Sequence, residues 1–173
     1  MKKFKKIIAM CLTAVMSLSV MSIGAFAAEE PSIVNSYTTE DGVKVTIFDP
    51  DISVEFSEKN DQGITTMAAP ITGYIYINKP NSEGLGAATQ SFVCNGNARA
   101  KFGLDYWEGG PYYNVSLYRV GVGNAPDSLL ALCEDVPENQ EATLQGLTST
   151  GSYYFRVSTY YTPGEAGYYA YAL

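Results

Sequence analysis

From residue 70 to the end of the chain, apolar and polar residues alternate in short runs separated by Gly, Pro and Asn. A period of two predicts strands rather than helices. The runs fall at 71–77, 90–94, 98–107, 112–122, 129–133, 141–147, 153–161 and 167–173. Asn78-Lys79-Pro80, Glu108-Gly109-Gly110-Pro111 and Thr162-Pro163-Gly164 punctuate them as turns, and 81–88 reads as a loop of small residues. No stretch holds a helical period; only 128–133 fits either pattern. Short strands at regular spacing with Gly/Pro turns predict an all-β fold, an antiparallel sandwich.

The first 27 residues follow a different rule. Lys2, Lys3, Lys5 and Lys6 precede an apolar stretch from Ile7 to Ile23, and Ala25-Phe26-Ala27 closes it with small residues. This is the pattern of a secretory signal peptide cut before Ala28. The alternatives are an uncleaved anchor, for which the run is short, and a lipoprotein at Cys11, where Met10 stands in place of a small residue. The expectation is a secreted protein, extracellular or in the cell envelope, with no stable membrane insertion once residues 1–27 are removed.

Residues 28–69 are acidic and only modestly hydrophobic. Within them 42–48 and 52–56 alternate around Asp49-Pro50-Asp51, a possible β-hairpin. A lone hairpin is marginal in water. The segment is read as a weakly structured N-terminal extension, ahead of a pro-segment or a pair of strands added to the main sheet. The sandwich domain is then 70–173.

Charge and reactive residues narrow the chemistry. Four of the 11 basic residues lie in the signal, leaving seven against 18 acids, a net charge of −11. No basic run remains to neutralise phosphates, so nucleic acid is not an expected partner. There is no His, which removes Ser-His-Asp and Cys-His catalysis and the usual zinc sets; no metal and no cofactor is expected. Asp105 and Glu108 beside Trp107 are the only acids in an aromatic setting, and acids flanking a β-turn are ordinarily solvated. Asp49 and Asp51 lack a following oxygen-ligand pattern for calcium. The chain is read as a non-enzyme. Cys94 and Cys133 form an even pair in an exported chain, which suggests one disulfide, with two buried thiols as the alternative. A bridge would restrict the unfolded chain by about 4 kcal/mol.

The late part of the sequence resembles a fibronectin type III module, an immunoglobulin-like sandwich. Leu144, Leu147 and Tyr153 have the spacing of that family's tyrosine corner, in which the ring packs inside and the hydroxyl bonds upstream backbone. The segments 102–106 and 115–119 resemble its second and third strands. The family carries a core Trp where Tyr106 aligns; Trp107 comes one residue late and faces the other side unless a bulge intervenes. The resemblance covers 88–173 and implies a binding or spacer role.

All tyrosines but Tyr37 lie from Tyr74 onward, many as adjacent pairs. Alternation splits each pair between two faces. With Tyr153, Phe155, Val157 and Tyr161 inward, Tyr154, Arg156, Ser158 and Tyr160 face out. With Tyr113, Val115 and Leu117 inward, Tyr112, Asn114, Ser116 and Tyr118 face out. In a fibronectin-like order these strands are neighbours, so Tyr112, Asn114, Tyr118, Tyr154, Arg156 and Tyr160 would share one patch, extended by Trp107 and by Tyr169 or Tyr171. Such a face suits a polysaccharide, with rings stacking on sugars, or an exported or cell-surface protein. The plain alternative is tyrosines packing on one another across strands. A planar row of rings favours glycan; a patch rimmed by charge favours protein.

Overall fold

A computed structural model describes residues 31–59, 70–80, 86–94 and 99–172, and among these described residues twelve strands make up the regular structure. The expected signal peptide lies outside the described residues. In chain order the strands are β1 (Asn35–Thr38), β2 (Lys44–Ile47), β3 (Ser53–Glu58), β4 (Ile71–Ile77), β5 (Ala87–Ala88), β6 (Phe92–Val93), β7 (Arg99–Trp107), β8 (Tyr112–Arg119), β9 (Ser128–Pro137), β10 (Gln140–Gln145), β11 (Ser152–Ser158) and β12 (Gly164–Ala172). No helix occurs among the described residues, and none there is long and apolar enough to cross a membrane.

The strands form two antiparallel sheets. One runs β1-β2-β9-β8-β11-β5, with β6 also on β11; the other runs β3-β10-β7-β12-β4. Their inner faces pack together because every second residue is apolar. Phe102 of β7 meets Phe155 of β11 with ring centroids 5.0 Å apart, and Tyr113 of β8 lies 6.0 Å from Phe102. Leu104, Val115, Leu117, Leu144 and Val157 fill the layer around these rings, all buried.

The acidic stretch before residue 70 is not an appendage. Val43 and Val45 are fully buried, and β2 lies between β1 and β9, with Val45 opposite Cys133. Strand β3 pairs along its whole length with β10, Val54 opposite Leu144. Nor do β2 and β3 make a hairpin. Asp49-Pro50-Asp51 takes the chain from one sheet to the other, with the Asp51 N–H donated to Asp49 Oδ1 at 3.1 Å. The alternation at 43–47 and 52–56 is the signature of half-buried strands, and it outweighs the surrounding acids, which sit on the outer positions.

Cys94 and Cys133 are free thiols, both buried. The reason they do not bridge is lateral distance. Cys133 is on β9, and Cys94 follows β6, which pairs with β11. With β8 between β9 and β11, that is three strand spacings, about 14 Å, whereas a disulfide spans a Cα separation of roughly 4.4–6.8 Å. Burial raises both thiols, Cys94 to about 11 and Cys133 to about 12.

Two local devices shape the ends of the sheets. Between β10 and β11, Leu144, Leu147 and Tyr153 are buried together. The Tyr153 hydroxyl accepts the Thr148 N–H at 2.8 Å, lies 2.9 Å from Thr148 Oγ1 and reaches the Thr148 carbonyl at 3.3 Å. The ring thus sits in the core while its polar end satisfies backbone in the connection. In β7 the pairing with β12 slips between Gly167 and Tyr168, so that Tyr106 faces Gly167 and Leu104 faces Tyr168. Asp105 is the extra residue of this bulge. Asp105 and Tyr106 both reach solvent, and Trp107 is returned inward against the core.

Candidate functional site

Strands β8 and β11 are neighbours with Tyr118 opposite Tyr154, Ser116 opposite Arg156 and Asn114 opposite Ser158. Tyr113, Val115, Leu117, Tyr153, Phe155 and Val157 are buried on the inner side. The alternate residues build the outer face. Tyr118 and Tyr154, directly opposed, stack with centroids 5.3 Å apart and planes 10° apart. The Arg156 guanidinium lies over the Tyr118 ring, its Cζ 5.5 Å from the centroid.

The edges of this stack are charged. The Tyr154 hydroxyl donates to Asp127 Oδ2 at 2.8 Å, and the Gly121 N–H donates to Asp127 Oδ1 at 2.9 Å. Those two donors, the backbone one first, hold Asp127 below the usual carboxylate range. Tyr154 is pushed up to about 12 by partial burial and by its bond to Asp127. Ser116 Oγ and Arg156 Nε, on facing residues, are buried with no hydrogen-bond partner among the described residues. Two such donors side by side on an outer sheet face are unusual, because buried polar groups are ordinarily paired.

A second aromatic group closes one end of the same sheet. Tyr160, just past β11, is exposed and donates to Glu134 Oε1 at 2.9 Å. Tyr112, at the start of β8, packs its ring 5.7 Å from that of Tyr161. Tyr161, expected inside, is exposed because β11 ends at Ser158 and the alternation ends with it. Lys44 pairs with Asp135 at 3.0 Å on the neighbouring strands.

Asn114, Trp107, Tyr169 and Tyr171 do not join the exposed patch. Asn114 is buried, and its Oδ1 accepts the Asp135 N–H at 3.0 Å, so the amide holds the irregular turn of β9 where Asp135 has φ 59°. Its Nδ2 is 3.5 Å from Ser158 Oγ. Trp107 belongs to the other sheet, turned inward by the bulge, with Nε1 buried and unpaired among the described residues. Tyr169 and Tyr171 also lie in that second sheet, on its outer side opposite Gly103 and Lys101. The rim residues Asp127 and Glu134 were not signalled by the sequence. Asp127 sits in the loop before β9, where no periodicity assigns a face.

The second sheet carries its own polar group. Tyr169 reaches from β12 across Gly103 of β7 and donates its hydroxyl to Glu141 of β10. Glu141 also pairs with Lys101 at 2.7 Å. A side chain at residue 103 would occupy the Tyr169 ring, so only Gly lets the tyrosine cross the strand.

The outer face of β8 and β11 presents ring surface and one guanidinium, with two unpaired donors buried beneath. Among the described residues no group of three or more His, Cys, Asp or Glu side chains is gathered as a metal site. No family model matches the chain, and no curated protein or solved structure matches it.

Proposed function

We propose that this chain is an exported, non-catalytic binding module that docks onto a partner protein through the outer face of β8 and β11. The observation that carries the reading is the Tyr118–Tyr154 stack under Arg156, rimmed by Asp127. The two rings cover one another instead of lying in a planar row, which leaves little platform for a sugar chain. Rigid tyrosines beside an Arg and small polar residues, edged by charge, are what protein interfaces favour. The exposed group Tyr112, Tyr160 and Tyr161 supports the second reading, a polysaccharide ligand at the end of the same sheet.

The scaffold is proposed to be an immunoglobulin-like sandwich related to fibronectin type III modules. The buried Tyr153 bonded to Thr148 supports it, as does the neighbourhood of β8, β9 and β11 in one sheet and of β7 and β10 in the other. One feature departs from that plan. There the last strand pairs beside the strand that β11 would represent, whereas here β12 pairs with β7 and the short β5 and β6 take the place beside β11.

The test is retention of the purified protein on cell-wall fractions before and after protease treatment of those fractions, and on isolated polysaccharides. Protein docking predicts retention that protease treatment and Tyr154→Ala/Arg156→Ala both abolish. Retention on bare polysaccharide that Tyr160→Ala abolishes would transfer the function to the end group. Retention on neither rejects both.

A further inference from the structure

The outer face of the five-stranded sheet holds a feature independent of the tyrosine stack. A cleft of about 420 Å³ opens there, lined by Thr72, Gly73 and Tyr74 of β4, Asp105 and Tyr106 of β7, and Gly167 and Tyr168 of β12. The bulge builds it. Because Asp105 is the extra residue, Asp105 and Tyr106 both face outward, side by side, across from Gly167. Gly167 also lies opposite Tyr74, so the missing side chain leaves a slot between the Tyr74 ring and the β-carbons of Asp105 and Tyr106. A methyl group placed on Gly167 would sit 3.6 Å from each of Asp105, Tyr106 and Tyr74.

The walls and rim select the occupant. Tyr74 and Tyr106 are 85% and 47% exposed, high values for aromatic side chains in paired strands. Tyr106 donates its hydroxyl to Glu108, and Glu165 stands near enough to act on the same tyrosine. Asp105 thus lines the cleft, and two further carboxylates lie near the hydroxyl of its Tyr106 wall. The nearby cations are Lys59, close enough to Glu138, Asp105 and Glu141 to feel their charge, and Lys101, which is paired with Glu141. An anion is disfavoured beside these carboxylates, and a cation gains an ion pair that a neutral ligand lacks. Aromatic rings beside carboxylates are the setting in which an organic ammonium ion is held, through the negative faces of the rings and direct ion pairing.

We propose that the Tyr74–Tyr106–Asp105 cleft over Gly167 binds the ammonium head of a small organic cation. The head sits between the two rings and against the Asp105 carboxylate, with the Gly167 backbone as its floor. Methylated and primary ammonium groups share this chemistry. The site lies on the sheet opposite the one that carries Tyr118 and Tyr154, so it stands or falls independently of the docking face.

The purified full chain is titrated with tetramethylammonium, methylammonium and tert-butanol, followed by calorimetry and by the tyrosine ring signals in NMR. Saturable binding of at least one cation, with none for the neutral tert-butanol, is expected; the preferred cation identifies which kind of head is recognised. Tyr106→Ala and Asp105→Asn are each expected to weaken binding about five- to tenfold. Gly167→Ala, whose methyl meets only ordinary contacts, is expected to weaken it without lowering the thermal midpoint, and Tyr154→Ala to leave it intact. Failure of both cations to saturate, tert-butanol binding as well as they do, or Gly167→Ala binding at full strength with its fold intact would each overturn the assignment.

Discussion

Replacing Gly103 with Ala tests whether the outer face of the five-stranded sheet is organised by one tyrosine crossing a strand. In isolation the change is favourable: Gly inside a strand is about 0.5–1 kcal/mol worse than Ala. At position 103, however, the new methyl occupies the space of the Tyr169 ring, which is only 6% exposed and holds Glu141 through its hydroxyl. Displacing the ring forfeits a hydrogen bond to a charged acceptor, about 1.5–3 kcal/mol. The net expectation is destabilisation by about 1–2 kcal/mol. With Tyr169→Ala already in place, the same substitution meets empty space and should stabilise by about 0.5–1 kcal/mol. The sign reverses, with a coupling of about 2–3 kcal/mol. Urea denaturation of the four variants, followed by the fluorescence of Trp107, the sole tryptophan, reads both values. Equal effects of Gly103→Ala in the two backgrounds would refute the crossing tyrosine as the organiser.

Other consequences are equally direct. Tyr153→Phe strips the Thr148 N–H of its acceptor and should lower stability by about 1–3 kcal/mol in chemical denaturation, with the fold retained; a neutral result would show that the corner is held by packing alone. Cys94 and Cys133 should resist a thiol reagent in the native protein at neutral pH and react as two free thiols once denaturant is added; no thiol on denaturation would mean a bridge. Stability should fall under alkaline conditions. Burial raises Tyr113 and Tyr169 above their ordinary value, so their contribution is complete below the unfolded tyrosine pKa near 10 and disappears as pH climbs toward the folded values. The denaturation midpoint measured from neutral pH upward should therefore drop beyond about pH 10, in step with phenolate absorbance, and a flat profile there would contradict the burial argument.

Much of the sheet structure was legible because half-buried strands write their burial into alternation. The run at 71–77 coincides with β4, and 98–107 misses β7 by one residue. Strands β8, β10, β11 and β12 also fell where apolar residues recur every second position. Strand β1 escaped notice because all four of its residues are exposed and carry no pattern. Strand β5, two residues in a run of small side chains, is defined only by its partner β11. The acidic stretch misled for the opposite reason. Its alternation was visible, yet acids counted over the whole of 28–69 masked the inward set Val43, Val45, Ile47 and Val54. The candidate site was legible as far as strand parity reaches: Tyr118, Tyr154 and Arg156 share a face as their spacing requires. Parity does not report bulges, so it could not place Trp107, nor could it give Asn114 its bond to Asp135. It assigns no face to a loop, which is why Asp127 was missed.

The order of pairing has a consequence for how this chain acquires its structure. Val45 pairs with Cys133, Val54 with Leu144 and Ile75 with Ala166, separations of 88, 90 and 91 residues. Three early strands thus each wait for a partner near the other end; β2 has β1 beside it in sequence, whereas β3 and β4 pair with no sequence neighbour among the described residues. Pairings of such long range must pay loop-closure entropy before any contact rewards them, and they make folding slow. Strands β3 and β4 therefore have no native sheet partner among the described residues until β10 and β12, both beyond residue 139, are available. Topology alone thus keeps these two early strands unpaired until the C-terminal part of the chain is present.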